Sequence, residues 1–265
     1  MERGRYALRI AYHGAAFRGF QRQPGLPTVQ EALESALSGL GIRARLEVAA
    51  RTDAGVHALC QVVTFRSPRA LDPEELRTEV NRRTPPELMC LEAWRAPAGF
   101  HARATALSRR YVYLVGVPPP EPVAAFAWTL PDERAFPGVR RDGLDAGAMR
   151  QALASALGEH DFTGFARPGE QRDPVRTLLR AEVLECSWAP LYAVVLEGRG
   201  FLRAMARNLV GTAVTVGLDL ASPSRISAIL AARERYRGVR APGWGLTLAA
   251  VNYPPGSGGS RAPPD

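Results

Sequence analysis

The 265-residue chain contains no lysine, and all 34 of its basic side chains are arginines. Because a guanidinium group does not lose its proton in proteins, the formal net charge of +8 does not depend on lysine titration. A GC-rich coding sequence would explain why arginine replaces lysine, but it would not explain the positive balance. We therefore expect an anionic partner, and arginine favours phosphate groups.

Cysteine is scarce as well. Cys60, Cys90 and Cys186 are odd in number, far apart and outside any C-x-x-C pair, so the sequence predicts neither a disulfide framework nor a zinc site. This pattern favours a reducing cytoplasm. Long apolar runs are also missing, and no segment has the length of a signal-peptide core or a membrane span. We therefore expect a globular protein that is neither exported nor membrane-bound.

Strand-like and helix-like segments alternate along the chain. The clearest helix is LPTVQEALESALSGLG, in which Thr28 and Glu31 form a capping box and Gly41 marks the end. A second helix, LDPEELRTEVNRR, has Asp72 as its cap. These patterns predict an α+β fold of two similar mixed halves, with antiparallel sheets packed by helices, rather than a doubly wound parallel sheet.

The boundary between the halves is expected near Arg103 to Ser108. We assign residues 1–105 to an N-terminal half and 106–253 to a C-terminal half. In the second half, Pro118 to Gly143 is predicted to be loop, and a short helix is expected to begin at Ser222. The low-complexity tail, 254–265, is expected to be disordered.

A polar segment interrupts two apolar runs in EVAARTDAGVHALCQVVTF. Asp53 lies where a strand gives way to a loop, and Gly55 supplies backbone freedom two residues later. If Arg51 faces the same way, it keeps the Asp53 carboxylate ionised, as a nucleophile or base rather than a general acid. The alternative is an Asx turn backed by a surface ion pair. His57 is expected to be structural.

A second group surrounds Tyr111 in SRRYVYLV. Arg109 and Arg110 precede it, and Tyr113 lies on the same strand face. Basic residues beside an exposed aromatic ring suit a flipped base, because the ring stacks on the base and the guanidinium meets the phosphate. The alternative is a tyrosine in a sheet core with its hydroxyl at the rim.

Arg203 and Arg207 form a third group in the predicted helix FLRAMARNLVGTAVTVG. Residues four apart share a helix face, so the two cations repel unless an anion lies between them. Asp53 or an RNA phosphate would meet this need; the alternative is a solvated pair at the edge of the core. His101 and Arg103 extend a basic lining that suits an RNA backbone better than a small-molecule pocket.

Together and in this order, these segments resemble the tRNA pseudouridine synthase A (TruA) family. The resemblance covers nearly all of Tyr6 to Pro254, and RTDAGVHA is its most specific motif. The chain departs from the family pattern at His13, where aspartate is usual, and at Ala204 and Ala206, where larger residues are typical. The remaining matching segments are YHGAAFRGFQRQPGLPTVQEAL, FHARATALSRRYVY, GEHDFTGF, FLRAMARNLVG and APGWGLTLAAVNYP.

The resemblance implies that Asp53 is the catalytic aspartate, that Arg207 is its ion-pair partner from the other half, and that Tyr111 packs on the target uracil. It also implies the pseudouridine synthase fold with a central RNA-binding cleft, a homodimer, and tRNA uridines at about positions 38 to 40 of the anticodon stem-loop as substrate. No metal or other cofactor is expected. The predicted substrate-binding residues are Arg51, Tyr111, Arg109, Arg110, Arg203, His101 and Arg103.

The implied reaction breaks the glycosidic C–N bond of uridine, turns the uracil and forms a C–C bond at the same sugar carbon. Asp53 assists either by attacking the sugar or base, or by removing a ribose proton; the sequence leaves these routes open. A single carboxylate in the motif argues against a nucleoside hydrolase, which normally needs a second. The sequence is also compatible with a synthase of the same architecture that acts on another RNA, and with a non-catalytic RNA-binding protein.

Overall fold

The computed structural model describes residues 4–139, 143–233 and 236–258. The strands in chain order are β1 (Gly4–Tyr12), β2 (Glu47–Val48), β3 (His57–Ser67), β4 (Leu88–Arg95), β5 (Ser108–Gly116), β6 (Ala127–Thr129), β7 (Gly158–Asp161), β8 (Val175–Glu185), β9 (Leu191–Gly198) and β10 (Leu246–Asn252). The α-helices are α1 (Val29–Ser38), α2 (Pro73–Arg83), α3 (Ala146–Ala154), α4 (Met205–Gly217) and α5 (Arg225–Ala232). The α+β class with mainly antiparallel pairing is confirmed.

The chain divides into two compact units. The first contains residues 1–109 and 247–265, and the second contains 110–246. These units differ from the predicted halves, 1–105 and 106–253, because the last strand joins the first unit. There β10 runs parallel to β3, with Thr247 opposite His57.

In the first unit the strand order is β4-β1-β3-β10, and β2 pairs with β3 beside this path. Strand β1 is antiparallel to both of its neighbours. Helix α2 packs on β4, and α1 packs on α2. The core is apolar: Leu8, Ile10, Leu33 and Leu37 are fully buried, and burial of each such side chain contributes about 2 kcal/mol.

Both helix caps expected in this unit are confirmed. The Thr28 side chain accepts a hydrogen bond from the Glu31 amide, and the Asp72 side chain accepts one from the Glu75 amide. Helix α1 ends earlier than predicted, at Ser38, with Gly39 as its C-cap. Each cap satisfies one of the amide groups that have no partner within the first helical turn.

In the second unit the strand order is β5-β9-β8-β7, and β6 pairs with β5 in parallel. Helix α3 packs on β8 and α4, and α5 packs on both α3 and α4. The segment predicted as loop holds a short 3-10 helix, Val123–Phe126, and the strand β6. Trp128 anchors that strand because it is almost fully buried. The prediction of a loop was wrong there.

Two predicted helix starts also differ from the structure. Helix α4 begins at Met205, because Ala204 has left-handed backbone angles, with a φ of 66°. Arg203 therefore lies outside the helix, and the prediction that it shares a helix face with Arg207 was wrong. Helix α5 has Ser224 rather than Ser222 as its N-cap.

Part of the segment predicted to be a disordered tail is ordered. The Trp94 indole donates a hydrogen bond to the Ser257 carbonyl (3.4 Å). Residues 259–265 lie outside the described residues. Among the residues described, no helix combines the length and apolar character needed to cross a membrane.

Candidate functional site

Asp53 lies in a tight turn between β2 and β3. The Val56 amide donates a hydrogen bond to the Asp53 carbonyl (3.2 Å). Gly55 has a φ of 79°, which side chains with a β-carbon rarely adopt. Asp53 itself is half-buried. The turn therefore fixes the backbone of Asp53 while part of the residue stays accessible.

The segment that follows β1 packs closely against this turn. The Phe20 amide donates a hydrogen bond to the Thr52 carbonyl (3.1 Å). A β-carbon on Gly19 would lie 2.9 Å from that carbonyl oxygen, and one on Gly14 would lie 2.2 Å from the carbonyl oxygen of Val56. Both distances are shorter than van der Waals contact, so glycine is required for this approach.

A buried polar cluster contacts the residues before Asp53. The hydroxyls of Tyr12 and Thr52 are 2.8 Å apart. The Gln61 side-chain amide donates to the Ala50 carbonyl (2.7 Å) and to the Tyr12 hydroxyl (3.3 Å), and its oxygen accepts from the Ala50 amide (3.2 Å). Burial raises the pKa of Tyr12 to about 12, so the phenol keeps its proton at neutral pH.

His57 is structural, as the sequence predicted. It is 3% exposed, and its Nδ1 atom accepts a hydrogen bond from the Gly14 amide (3.1 Å). The ring of His13 packs beside it with a centroid separation of 4.9 Å. His13 is the residue that departs from the family pattern, and its contact is with the strand that follows the Asp53 turn.

Arg51 is exposed. In the part of the chain that the structure describes, no ion pair joins Arg51 to Asp53, so the charge pairing considered from the sequence does not form here. An exposed guanidinium beside the turn remains available to an anion.

Arg109 points inward rather than toward solvent. It is 7% exposed, and its guanidinium donates to the carbonyls of Ala49 (3.0 Å), Arg103 (2.7 Å) and Ala106 (3.2 Å). A buried cation needs such acceptors, since losing them would leave an uncompensated charge. Arg109 therefore ties the loop 103–106 to the backbone at Ala49, and this arrangement does not match its prediction as a substrate-binding residue.

His101 and Arg103 occupy one turn in the first unit. The His101 Nδ1 atom accepts a hydrogen bond from the Arg103 amide (3.1 Å), and its Nε2 atom lies 3.6 Å from a Glu47 carboxylate oxygen. That carboxylate also accepts from Arg5 (2.7 Å). His101 thus has a role in the turn, whereas the Arg103 residue is exposed.

Tyr111 and Arg110 lie on β5 in the second unit. Tyr111 is 6% exposed, and its ring meets Phe201 edge to face at a centroid distance of 5.1 Å. The Arg110 guanidinium pairs with Glu197 (2.8 Å). Tyr113 is fully buried and donates its hydroxyl hydrogen to the Pro242 carbonyl (2.9 Å). Both tyrosines are therefore buried, as the alternative of a tyrosine in a sheet core describes, and neither ring is exposed.

Arg207 lies in the first turn of α4. A cation is unfavourable there because the amino end of a helix carries partial positive charge, and that turn contains no acidic residue. The Arg207 Nε atom donates to the Ala241 carbonyl (2.7 Å), and the Ala241 amide donates back to the Arg207 carbonyl (3.2 Å). This pair of bonds holds the arginine at the helix start.

Glu170 organises the approach to α4. It pairs with the Arg172 side chain, and its Oε2 atom accepts from the Arg203 amide (3.3 Å). The Arg203 carbonyl in turn accepts from the Arg167 amide (2.9 Å). Hydrogen bonding to Arg172 lowers the pKa of Glu170 to about 2. The Arg203 residue itself is exposed.

No group of three or more His, Cys, Asp or Glu side chains is arranged to hold a metal ion within the described ranges.

The family model described as tRNA pseudouridine synthase matches residues 9–103 and 152–254. The chain is 39% identical over 256 residues to the tRNA pseudouridine synthase A of Methylacidiphilum infernorum, covering 94% of this chain and 96% of the relative. It is 36% identical over 253 residues to that of Thermosipho africanus (94% and 99%) and 38% identical over 261 residues to that of Bordetella petrii (95% and 92%). The chain belongs to the tRNA pseudouridine synthase family.

Among solved structures, the chain is similar to a protein in an H/ACA RNP bound to a substrate RNA containing 2′-deoxyuridine. The TM-score is 0.32 and the identity 16%, over 79% of this chain and 44% of that chain. Similarity at this level supports no statement about the site.

The two ranges that match the family model include the Asp53 turn and the start of α4. The range 9–103 contains Asp53 and every residue of the polar cluster, and the range 152–254 contains Arg203 and Arg207. Tyr111 lies between the matched ranges. Members of this family are isomerases, so the chain is an enzyme.

Sequence reasoning did not identify the residues that hold the Asp53 turn. Tyr12 and Thr52 lie inside recognised motifs, but nothing in their spacing shows that their hydroxyls meet. Gln61 offered a signal, because it is a polar residue inside the otherwise apolar run CQVVTF and therefore needs a partner when buried. Sequence reasoning also missed Glu170, which holds the backbone of Arg203 before α4. The signal there was weaker: a glutamate two residues before Arg172.

Proposed function

We propose that the chain isomerises uridine to pseudouridine in the anticodon stem-loop of tRNA, at about positions 38 to 40, with Asp53 as nucleophile or base. The observation that carries this proposal is the construction of the Asp53 turn. The backbone around the aspartate is fixed by neighbouring elements, and the residue itself is only half-buried. Family membership supplies the reaction class.

The chemistry explains why such a turn is useful. In the reaction the C1′–N1 bond of uridine breaks, a C1′–C5 bond forms, the proton on C5 leaves and N1 gains one. Product and substrate are isomers, so the enzyme needs neither an oxidant nor an added group. A carboxylate acting on one atom must be placed before the reaction begins, because misplacement by about 1 Å can cost on the order of a hundredfold in rate.

We propose Tyr111 as the residue that packs on the target uracil. Its ring is held edge to face by Phe201, so it does not need to be ordered when the base arrives. Base–aromatic stacking contributes about 1–3 kcal/mol per base. The pairing of Asp53 with Arg207, which the resemblance implies, stays a prediction.

For RNA backbone contacts we propose Arg51, Arg103 and Arg203. Their exposure supports this role, since all three residues lie at the surface that a phosphate can reach. Arg110 and His101 have internal partners, and we retain them as secondary candidates. Arg109 is better explained as a structural residue.

We also propose a homodimer in the cytoplasm. The exposed apolar side chains Leu59 on β3 and Met89 and Leu91 on β4 support self-association, since they provide apolar surface for a partner. The absence of disulfides supports a reducing compartment, because Cys60, Cys90 and Cys186 are all free thiols. Sedimentation velocity at several concentrations tests the dimer.

The proposed reaction is tested with unmodified tRNA transcripts, in which pseudouridine is mapped by mass spectrometry after incubation with wild type, Asp53→Asn or Asp72→Asn. The last variant is the matched control, because Asp72 caps α2 and asparagine caps equally well. We expect conversion in the anticodon stem-loop by wild type and the control, and none by Asp53→Asn.

Different results would indicate a different function. Equal tRNA binding by wild type and Asp53→Asn with no conversion by either indicates a non-catalytic RNA-binding protein. Release of free uracil indicates a hydrolase. Conversion of uridines only in RNA molecules that are not tRNA indicates a synthase of the same architecture with a different substrate.

A further inference from the structure

We propose that Tyr12 and Gln61 are positioning residues for Asp53, acting through Ala50 and Thr52. This inference rests on the proposed role of Asp53 in the reaction. Both residues lie outside the motif RTDAGVHA. Tyr12 is at the end of β1, and Gln61 is within β3.

The chemistry of an amide fixes which groups donate and which accept in the hydrogen bonds of Gln61. An amide nitrogen only donates, so the two hydrogens of Gln61 go to the Ala50 carbonyl and the Tyr12 oxygen. The hydroxyls of Tyr12 and Thr52, 2.8 Å apart, form the next hydrogen bond, in which either can be the donor. The Gln61 side-chain oxygen accepts a hydrogen bond from the Ala50 amide. Ala50 is therefore held through both its amide and its carbonyl.

Burial protects the hydrogen bonds of the cluster from competition with water. Gln61 is fully buried, and Tyr12 and Thr52 are 5% and 7% exposed. Water has little access to replace a lost partner, so each missing hydrogen bond leaves an unsatisfied group in a poorly solvated site. Such a cluster specifies one arrangement of its members more sharply than apolar packing does.

The cluster acts on Asp53 through a single peptide unit. Thr52 is held at its hydroxyl by Tyr12 and at its carbonyl by the Phe20 amide. The peptide plane that joins Thr52 to Asp53 is therefore anchored from the side chain and from the backbone. If the hydroxyl is released, this plane keeps only its bond to the Phe20 amide, and the position of Asp53 is less sharply defined.

The test compares Tyr12→Phe with Tyr6→Phe. Tyr6 is a matched control, because it lies on the same strand, is 1% exposed and accepts one hydrogen bond from the Leu71 amide (2.8 Å). Loss of a hydrogen bond that orients a reacting group lowers the rate by about fivefold to tenfold. We expect this loss in the kcat of Tyr12→Phe with an unchanged KM for tRNA, and a kcat within about twofold of wild type for Tyr6→Phe.

The variant Thr52→Val provides a second test, of whether Tyr12 acts through Thr52. If Tyr12 acts through Thr52, the double variant Tyr12→Phe/Thr52→Val is no slower than Thr52→Val alone. Multiplied losses in the double variant, or a wild-type kcat for Tyr12→Phe, would overturn the proposal.

Hydrogen exchange supplies a readout that does not depend on activity. We expect faster exchange of the amides in segment 50–56 for Tyr12→Phe but not for Tyr6→Phe; equal exchange in both variants would oppose the proposal. A wild-type protein that forms no pseudouridine refutes the proposed function instead, and the exchange comparison still decides whether the cluster holds the turn.

Discussion

Single residues determine how Asp53 is presented. Gly55 adopts the positive φ that the turn requires, and Gly19 lets a second segment approach the Thr52 carbonyl. Tyr12 forms a hydrogen bond with the Thr52 hydroxyl. None of these residues carries chemistry of its own. Their common effect is to fix the backbone on both sides of one half-buried aspartate.

Gly19→Ala should destabilise the protein and reduce its activity. The new β-carbon would lie 2.9 Å from the Thr52 carbonyl oxygen, at a φ of 95°. Gly25→Ala is the matched control, because Gly25 has a φ of 69° and nothing within 4 Å of an added β-carbon. We expect a loss of about 1 kcal/mol in the control from backbone strain, and at least about 1 kcal/mol more in Gly19→Ala. Urea denaturation measures the difference, and equal losses would contradict the close approach.

Glu170 makes stability depend on pH in acid. Hydrogen bonding to Arg172 lowers its pKa from 4.5 to about 2. A carboxyl whose pKa falls on folding contributes stability that is present above the unfolded value, and that stability is lost as pH drops through the folded value. The affected window therefore lies between about 4.5 and about 2.

The variant Glu170→Gln tests this dependence. At neutral pH it should unfold at lower urea concentration than wild type, and the gap should close as pH falls through that window. Glu159→Gln is the control, because Glu159 is exposed and its replacement should change the free energy of unfolding by less than about 0.5 kcal/mol. A gap that stays constant with pH would show that the carboxylate charge is not involved.

The direction of individual side chains could not be predicted from the sequence. Arg109, Arg110 and Tyr111 were treated as one group, yet Arg109 donates to three backbone carbonyls and Arg110 pairs with Glu197. Glu197 and one of the Arg109 acceptors, Ala49, lie far away in the chain, and no local pattern indicates them. An Arg51 that faces Asp53 was one of two interpretations of the motif, and the cluster that holds residues 50 and 52 was not visible in the sequence.

At the scale of helices and strands, local chemistry predicted most starting points. The caps Thr28 and Asp72 were correct because each depends on residues only three positions apart. The start of α4 was wrong, since the left-handed backbone at Ala204 has no signal in an alanine. Tertiary contacts set that break: the Glu170 side chain and the Arg167 amide hold the backbone of Arg203 just before it.

Helix α4 offers a second test of close packing. Alanine normally stabilises a helix interior by about 1 kcal/mol relative to glycine. At Gly211, however, a β-carbon would lie 1.9 Å from the Val239 carbonyl oxygen. We expect Gly211→Ala to lower the free energy of unfolding by about 2 kcal/mol. The control is Gly147→Ala in α3, which should be neutral or stabilising because its β-carbon would meet only the Asp145 side chain, at 3.2 Å. Stabilisation in both variants would contradict this packing.

At the scale of the whole molecule, the fold class could be predicted and the membership of the last strand could not. Alternating apolar patterns and capped helices sufficed for an α+β arrangement. Strand β10 pairs in parallel with β3, and the paired residues Thr247 and His57 are 190 positions apart in the sequence. This long-range strand pairing assigns β10 to the first unit, and no local sequence pattern indicates it.

The net charge of +8 gives an expectation for RNA binding. Phosphate contacts release counterions, so the affinity for tRNA should fall at least about tenfold between about 50 and about 200 mM salt. Arg103→Gln should lower the slope of log Kd against log salt by about one, because the side chain belongs to an exposed residue. Filter binding across a salt series measures both quantities. A salt-independent affinity would argue against backbone recognition.

The central claim is that Asp53 drives isomerisation of uridine, and the most direct measurement follows the hydrogen on uracil C5. Formation of the C1′–C5 bond expels that hydrogen, so tRNA transcribed with 5-tritiated uridine should release tritium to water without release of free uracil. We expect stoichiometric release with wild-type protein and none with Asp53→Ala, while both proteins bind the tRNA equally. Equal tritium release by the two proteins would contradict the catalytic role of Asp53.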